Sequence, residues 1–128
     1  MRYTLLLHYP EMTAQDLGPE ALAEGMSAFD AYAKALDDAG VLDGAEALQQ
    51  SASTTTITLA TGELVVQDGP FADGKEQLGG TFVIDVPDLD DAIGWAAKAP
   101  SASYGHVEIR PTATRYLDGV WQGAQPVR

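Results

Sequence analysis

The stretch FVIDVPDLDDAIGWAA, residues 82–97, changes its hydrophobic period halfway along and so decides the kind of fold. Phe82, Ile84 and Val86 alternate with Val83 and Asp85, the two-residue period of a strand with one buried face. Pro87-Asp88 ends that run. Asp88 can cap a helix, with Asp91 three positions later. Leu89, Ala92, Ile93 and Ala96 then recur at three- and four-residue steps, which puts them on one helical stripe. A strand therefore passes directly into an amphipathic helix that needs a sheet to cover.

Outward from this stretch the same two periods recur. Tyr3 to Tyr9 is a short apolar run closed by Pro10 and reads as a strand. Leu22, Met26, Phe29, Ala33 and Leu36 share one stripe, so Pro19 to Ala39 is a helix, with Pro19 in the first turn and Gly40 as its stop. Gly44 to Gln50 holds a short edge strand. Thr54 to Ala60 and Glu63 to Gln67 are rich in strand formers and flank Thr61-Gly62, so they read as a hairpin. Gln77 to Val86 and His106 to Arg110 are the remaining strands, and residues 112–128 read as an irregular tail in which Tyr116 to Trp121 can pack. The order is a βαββαβ unit with an added β-hairpin, an α+β architecture in one domain spanning residues 1–128. Each helix has one apolar stripe, so both should cover the same face of an antiparallel sheet. The opposite face is too apolar to stay open and is expected to meet a second copy, giving a homodimer through the sheet face.

Composition excludes several classes of function. Seven basic residues stand against 19 acidic ones in 128, a formal net charge of −12. A nucleic-acid binder needs a basic patch to displace counterions, and an anionic membrane surface is disfavoured for the same reason. No cysteine is present, which removes disulfides, thiolate metal sites and thiol nucleophiles. No apolar run approaches the roughly 20 residues of a membrane helix, and the start of the chain lacks a signal-peptide pattern. A soluble cytoplasmic protein is expected. There is no phosphate-binding loop, dinucleotide fingerprint or nucleophile elbow, so no cofactor is expected. Proton transfer is the chemistry this residue inventory best permits.

The candidate site follows from the strand faces. In a βαββαβ sheet the first and last strands are antiparallel neighbours, which brings His8 beside His106. Alternation puts Tyr3, Leu5, Leu7 and Tyr9 on the helix side with Phe82, Ile84, Val86, Val107 and Ile109. The other face then carries Thr4, Leu6, His8, Thr81, Val83, His106, Glu108 and Arg110, a plausible cleft for a small polar or anionic metabolite. His8 or His106 suits a general acid or base because imidazole titrates near neutral pH. Each reads more readily still as a solvated strand-end histidine. Arg110 can hold a carboxylate or phosphate through its planar donors, or it can pair with Glu108, two residues away on the same face. Two strand-end histidines with Glu108 make a weak metal-ligand pattern, and no metal is expected.

The loop QDGPFADGKEQLGG, residues 67–80, is dense in turn formers yet carries an aromatic residue. Gly69 precedes a proline and alone can take positive φ without steric cost, and Pro70 fixes its own φ. The result should be a rigid corner that throws Phe71 in one direction. Asp68 either braces that corner or serves as a pocket carboxylate. Phe71 either anchors in the core or walls the pocket. Gly79-Gly80 suggests a bulge or a closely passing backbone.

The series DGPFADGKEQLGG, FVIDVPDLDDAIGWAAKAP and GHVEIRP, with MRYTLLLHY at the start and AGVLDGAEALQ after the first helix, resembles the DGPF-motif branch of the YCII-related proteins over residues 1–111. The resemblance implies a ferredoxin-like fold that dimerises through its sheet face into an α+β barrel. It carries Asp68, Gly69, Pro70, Phe71, Lys75, Glu76, Gly79, Gly80, Glu108 and Arg110 as motif positions, and leaves His8 and His106 outside the motif. It also implies two functional classes. One is a cofactor-independent isomerase- or lyase-like enzyme, with His8 or His106 as the base on the strength of the strand faces rather than the motif, Asp68 as its acidic partner and Phe71, Glu108 and Arg110 binding. The other is a non-catalytic dimeric sensing or interaction module linked to sigma-factor-dependent transcription.

Overall fold

A computed structural model describes residues 1–123 of the 128-residue chain. The strands are β1 (Arg2–Pro10), β2 (Leu42–Ala47), β3 (Thr55–Thr58), β4 (Val65–Asp68), β5 (Glu76–Asp85), β6 (His106–Pro111), β7 (Arg115–Leu117) and β8 (Val120–Gln122), and the helices are α1 (Ala14–Asp38) and α2 (Leu89–Ala97). Short 3-10 turns occupy Ser51–Ser53 and Pro100–Ser103. The main sheet has the order β2-β5-β1-β6, with each neighbouring pair antiparallel. This is the ferredoxin-like arrangement of an α+β fold, with the β3–β4 hairpin inserted between its second and third strands.

The core lies on one face of that sheet. Tyr3, Leu5 and Leu7 of β1, Phe82 and Ile84 of β5 and Val86 after it are buried against Tyr32 and Leu36 of α1 and Ala92 and Ala96 of α2. Both helices therefore cover the same face, as their single apolar stripes require. Leu5, Leu36 and Ile84 are fully buried, each worth about 1.5–3 kcal/mol of transfer free energy. The Tyr32 ring meets Phe82 edge-on at 5.1 Å, and its hydroxyl donates to the Trp95 carbonyl at 2.7 Å, tying α1 to α2 across the core.

Three local departures from the expected elements have physical causes. A capped turn precedes the regular part of α1. Asp16 N–H donates to Thr13 Oγ1 at 3.0 Å and Thr13 N–H to Asp16 Oδ2 at 3.3 Å, a reciprocal capping box. Gly18, at φ 79°, breaks the helix before Pro19. The β3–β4 connection is longer than the expected turn, running from Leu59 to Leu64 with Gly62 N–H closing on the Leu59 carbonyl at 3.0 Å. Part of the expected irregular tail is a hairpin: β7 and β8 are joined by Asp118-Gly119, at φ 54° and 82°, the positive pair that a type I′ turn demands. Tyr116 and Trp121, directly opposite on the two strands, meet edge-on at 5.3 Å. Residues 124–128 of that expected tail lie outside the described residues.

Candidate functional site

The open face of the sheet carries the residues that alternation assigns to it. His8 is the cross-strand partner of His106, Leu6 of Glu108 and Thr4 of Arg110. The two imidazoles are neighbours in the ladder, yet each is engaged by its own carboxylate. His106 Nδ1 lies 2.7 Å from Glu76 Oε1, and His8 Nε2 lies 2.5 Å from Glu108 Oε1. The second contact is off the ring N–H direction, so Nε2 gains an ionic neighbour but no straight hydrogen bond. Arg110 reaches the other oxygen of Glu108 at 3.9 Å and its side chain is 74% exposed. His8, Glu108 and Arg110 thus lie in a row along the surface, with Glu108 between the imidazole and the guanidinium.

Asp68 and Phe71 are elsewhere. Asp68 ends β4, opposite Thr55 in the separate hairpin, and makes no side-chain hydrogen bond or ion pair among the described residues. Gly69 adopts φ 104°, and its N–H donates to the Thr54 carbonyl at 2.7 Å while Thr56 Oγ1 donates to its carbonyl at 2.8 Å. The corner is therefore closed by Thr54, which precedes the facing strand, and by Thr56 within it. Beyond it, Gln77 Nε2 donates to the carbonyls of Ala72 and Gly74 at 3.1 and 3.2 Å. Phe71 projects outward at 91% exposure, packed neither in this chain's core nor against its cavity.

The principal cavity lies on the opposite side of the sheet from the histidines. The C-terminal half of α1 packs tightly, but its N-terminal half stands off the sheet. Leu22 and Met26 of the apolar stripe are 37% and 67% exposed, whereas Leu36 is 0%. The gap is a cavity of about 540 Å³, within the range of small-molecule sites. Its floor is Leu7, Tyr9 and Phe82 with Ala45 and Ala47, its roof Leu17, Leu22, Met26 and Phe29, and its mouth Met12, Leu48 and Gln50. The mouth is tied by Glu11, which accepts from Ser51 N–H at 2.6 Å and Ser51 Oγ at 2.5 Å, and by Gln50 Nε2 donating to the Met12 carbonyl at 2.8 Å. Among the described residues no lysine, arginine or histidine lines the cavity, whereas Glu11, Asp30 and Glu46 do.

Glycines shape the end wall. The register of β1 with β5 slips between Leu7 and His8, leaving Gly79 unpaired as a bulge. A Cβ on Gly79 would fall on the Tyr9 ring, and one on Gly105 would meet the His8 carbonyl and Tyr9. A Cβ on Gly80 would lie 2.8 Å from the Glu46 carbonyl oxygen, where β2 passes. Tyr9 is thus seated between Gly79 and Gly105, with Tyr104 edge-on at 6.0 Å. Burial, then Tyr104, then Glu11 hold the Tyr9 phenol above its ordinary pKa, and burial does the same for Tyr104. Both stay protonated donors through the neutral range.

The expectations from sequence placed a cleft on the open face and did not foresee this cavity. Its signals were present: an apolar stripe on α1 that runs two turns beyond the core, and Tyr9 on the helix face opposite a glycine pair. Among the described residues no group of three or more histidine, aspartate or glutamate side chains is arranged to hold a metal, and no helix is long and apolar enough to cross a membrane.

Two comparisons bear on kinship. The YCII-related domain matches residues 1–114. A protein of Rhizobium meliloti (strain 1021), itself uncharacterised, is 33% identical over 115 residues, covering 88% of this chain and 93% of its own length. The matched region runs from β1 through β6 and takes in the whole main sheet, both helices and the inserted hairpin, so the chain belongs to the YCII-related family.

Proposed function

We propose that this protein binds a small, largely apolar molecule in the cavity beneath the N-terminal half of α1. The observation that carries the reading is the contrast along one helix: the same stripe is fully packed at Leu36 and empty-sided at Leu22 and Met26, over a space of about 540 Å³. A cavity of that size lined by leucine, methionine and phenylalanine forfeits packing energy that a smaller gap would recover, and a ligand restores it. A proton-transfer step at His8 or His106 would use a different space, because those residues sit across the sheet from this lining. A binding or sensing role therefore accounts for the cavity better than a histidine-based isomerase or lyase does. The absence of countercharge in the lining favours an apolar ligand over the anionic metabolite that Arg110 suggested. Titration with the neutral fluorophore N-phenyl-1-naphthylamine tests it. Saturable enhancement by the wild type and its loss in Gly25→Leu support the reading; no enhancement by the wild type refutes it.

A second reading, compatible with the first, is assembly into a homodimer through the open sheet face. Leu6 and Val83 lie at the centre of that face with Thr4 and Thr81, and all four are only half-buried by this chain. The β3–β4 arm adds a bare apolar side of Ile57, Leu59, Leu64 and Val66, each about 60% exposed. A two-stranded hairpin is marginal in water without such cover. Mass measurement by light scattering across a dilution series should give twice the 13.5 kDa chain mass, and a stable monomer at micromolar concentration removes this reading.

A further inference from the structure

Resting on the cavity reading above, we infer that Tyr9 and Tyr104 form a paired hydroxyl anchor for the carbonyl oxygen of a neutral ligand, and that the cavity rejects the corresponding carboxylates. Three observations converge on the same end of the cavity. First, of the four tyrosines that fill or line the helix–sheet space, Tyr32 is already committed to the Trp95 carbonyl and Tyr3 to the Met1 sulfur, whereas the Tyr9 and Tyr104 hydroxyls have no hydrogen-bonding partner among the described residues. Both line the cavity. Second, Tyr9 is held in place by backbone: Gly79 and Gly105 leave room for its ring and for nothing larger than hydrogen beneath it. A side chain seated this way loses little freedom when it binds, which favours a specific contact. Third, the charged residues that line the cavity are all acidic. Glu11 lies close enough to oppose ionisation of Tyr9, and Glu46 and Asp30 are the others, Asp30 already paired with Lys34 at 2.9 Å.

The chemistry of the ligand follows. The donors are phenol O–H groups, so the complementary group is an acceptor, and a carbonyl oxygen offers two lone pairs to two donors. An anion would enter an apolar space with no cation to meet it and a carboxylate at its mouth, which burial penalises heavily. A neutral ketone or aldehyde with an apolar body satisfies both the hydroxyls and the leucine, methionine and phenylalanine walls. No bond is made or broken in this role; the tyrosines select and orient the ligand.

An isosteric pair tests the inference. N-phenyl-1-naphthylamine, which carries no carbonyl, reports occupancy, and 2-acetylnaphthalene and 2-naphthoate compete with it at neutral pH. The ketone should displace the reporter at least ten-fold more effectively than the carboxylate. Tyr9→Phe and Tyr104→Phe should each weaken the ketone roughly five-fold, the value of one hydrogen bond, relative to any change in the reporter's own affinity. Equal competition by the two naphthalenes, or ketone affinity unchanged in both phenylalanine variants while the reporter still binds, overturns the anchor and leaves the cavity reading standing. Failure of the reporter itself to bind overturns both. Circular dichroism and melting of each variant confirm that the fold is retained, since each substitution removes only an oxygen.

Discussion

Gly25→Leu asks whether the space beneath α1 is kept open at the expense of stability. Gly25 falls on the stripe Leu22–Gly25–Phe29–Tyr32–Leu36, and a Cβ there meets nothing within 4 Å. Its φ lies outside the left-handed region, so a larger side chain introduces no backbone strain. Replacing glycine in a helix interior by a good helix former gains about 1 kcal/mol. Burying a leucine side chain fully is worth about 1.5–3 kcal/mol, and roughly half of that is available in a cavity that stays open at its mouth. Lost rotamer freedom takes back about 0.5–1 kcal/mol. The net expectation is a gain of about 1–2 kcal/mol, read as a rise in Tm of roughly 3–8 °C in a chain of this size. Urea unfolding measures the free energy directly, and the reporter titration on the same samples should show affinity falling ten-fold or more. A variant that is less stable than the wild type, or that binds the reporter unchanged, refutes the account of the cavity.

The other predictions concern the core, the corner and the open face. Burial pushes the Tyr32 phenol up to about 12 from an unfolded value of 10.0. Its contribution is therefore complete below pH 10 and lost as pH rises through 12. With the residue only 5% exposed, that loss amounts to about 2 kcal/mol by pH 12. Tyr32→Phe should be about 1 kcal/mol less stable than the wild type at pH 7 and should overtake it by pH 12 in chemical denaturation, whereas parallel curves would contradict the burial argument. Gly69→Ala, at φ 104° with open space around its Cβ, should destabilise by about 1–2 kcal/mol through backbone strain alone, and an unchanged melting curve would show that the corner relaxes. Val83→Lys places a charge at the centre of the open sheet face, which is harmless to an isolated chain. Light scattering should then show a dimer converted to monomer without loss of secondary structure, and an unaltered mass would move the interface elsewhere.

Much of the architecture was legible because burial periodicity is local. Residues 82–97 announce a strand and then a helix, and the alternation of Tyr3, Leu5 and Leu7 assigns the face that the helices cover. A tight corner at Gly69-Pro70 was legible, because glycine can take positive φ and proline fixes its own, while the value of 104° was decided by the fold. The β7–β8 hairpin carried its own signal, Asp118-Gly119 between Tyr116-Leu117 and Val120-Trp121, a short and weakly alternating run that is easily read as tail. The candidate site was less legible. His8 and His106 drew attention through their chemistry and do meet across the ladder, yet a cavity of about 540 Å³ formed on the face assigned to core.

The order of residues by itself determined the elements, the faces of the strands and the sign of the charge, because each depends on side chains a few positions apart. Only the tertiary structure decided that α1 packs at Leu36 and stands away at Met26, that Gly79 and Gly105 converge on Tyr9, and that Glu76 and Glu108 claim the two histidines. Those outcomes depend on how the long helix that follows Gly18 seats on a twisted four-stranded sheet, a match of two rigid surfaces that no short window of sequence contains.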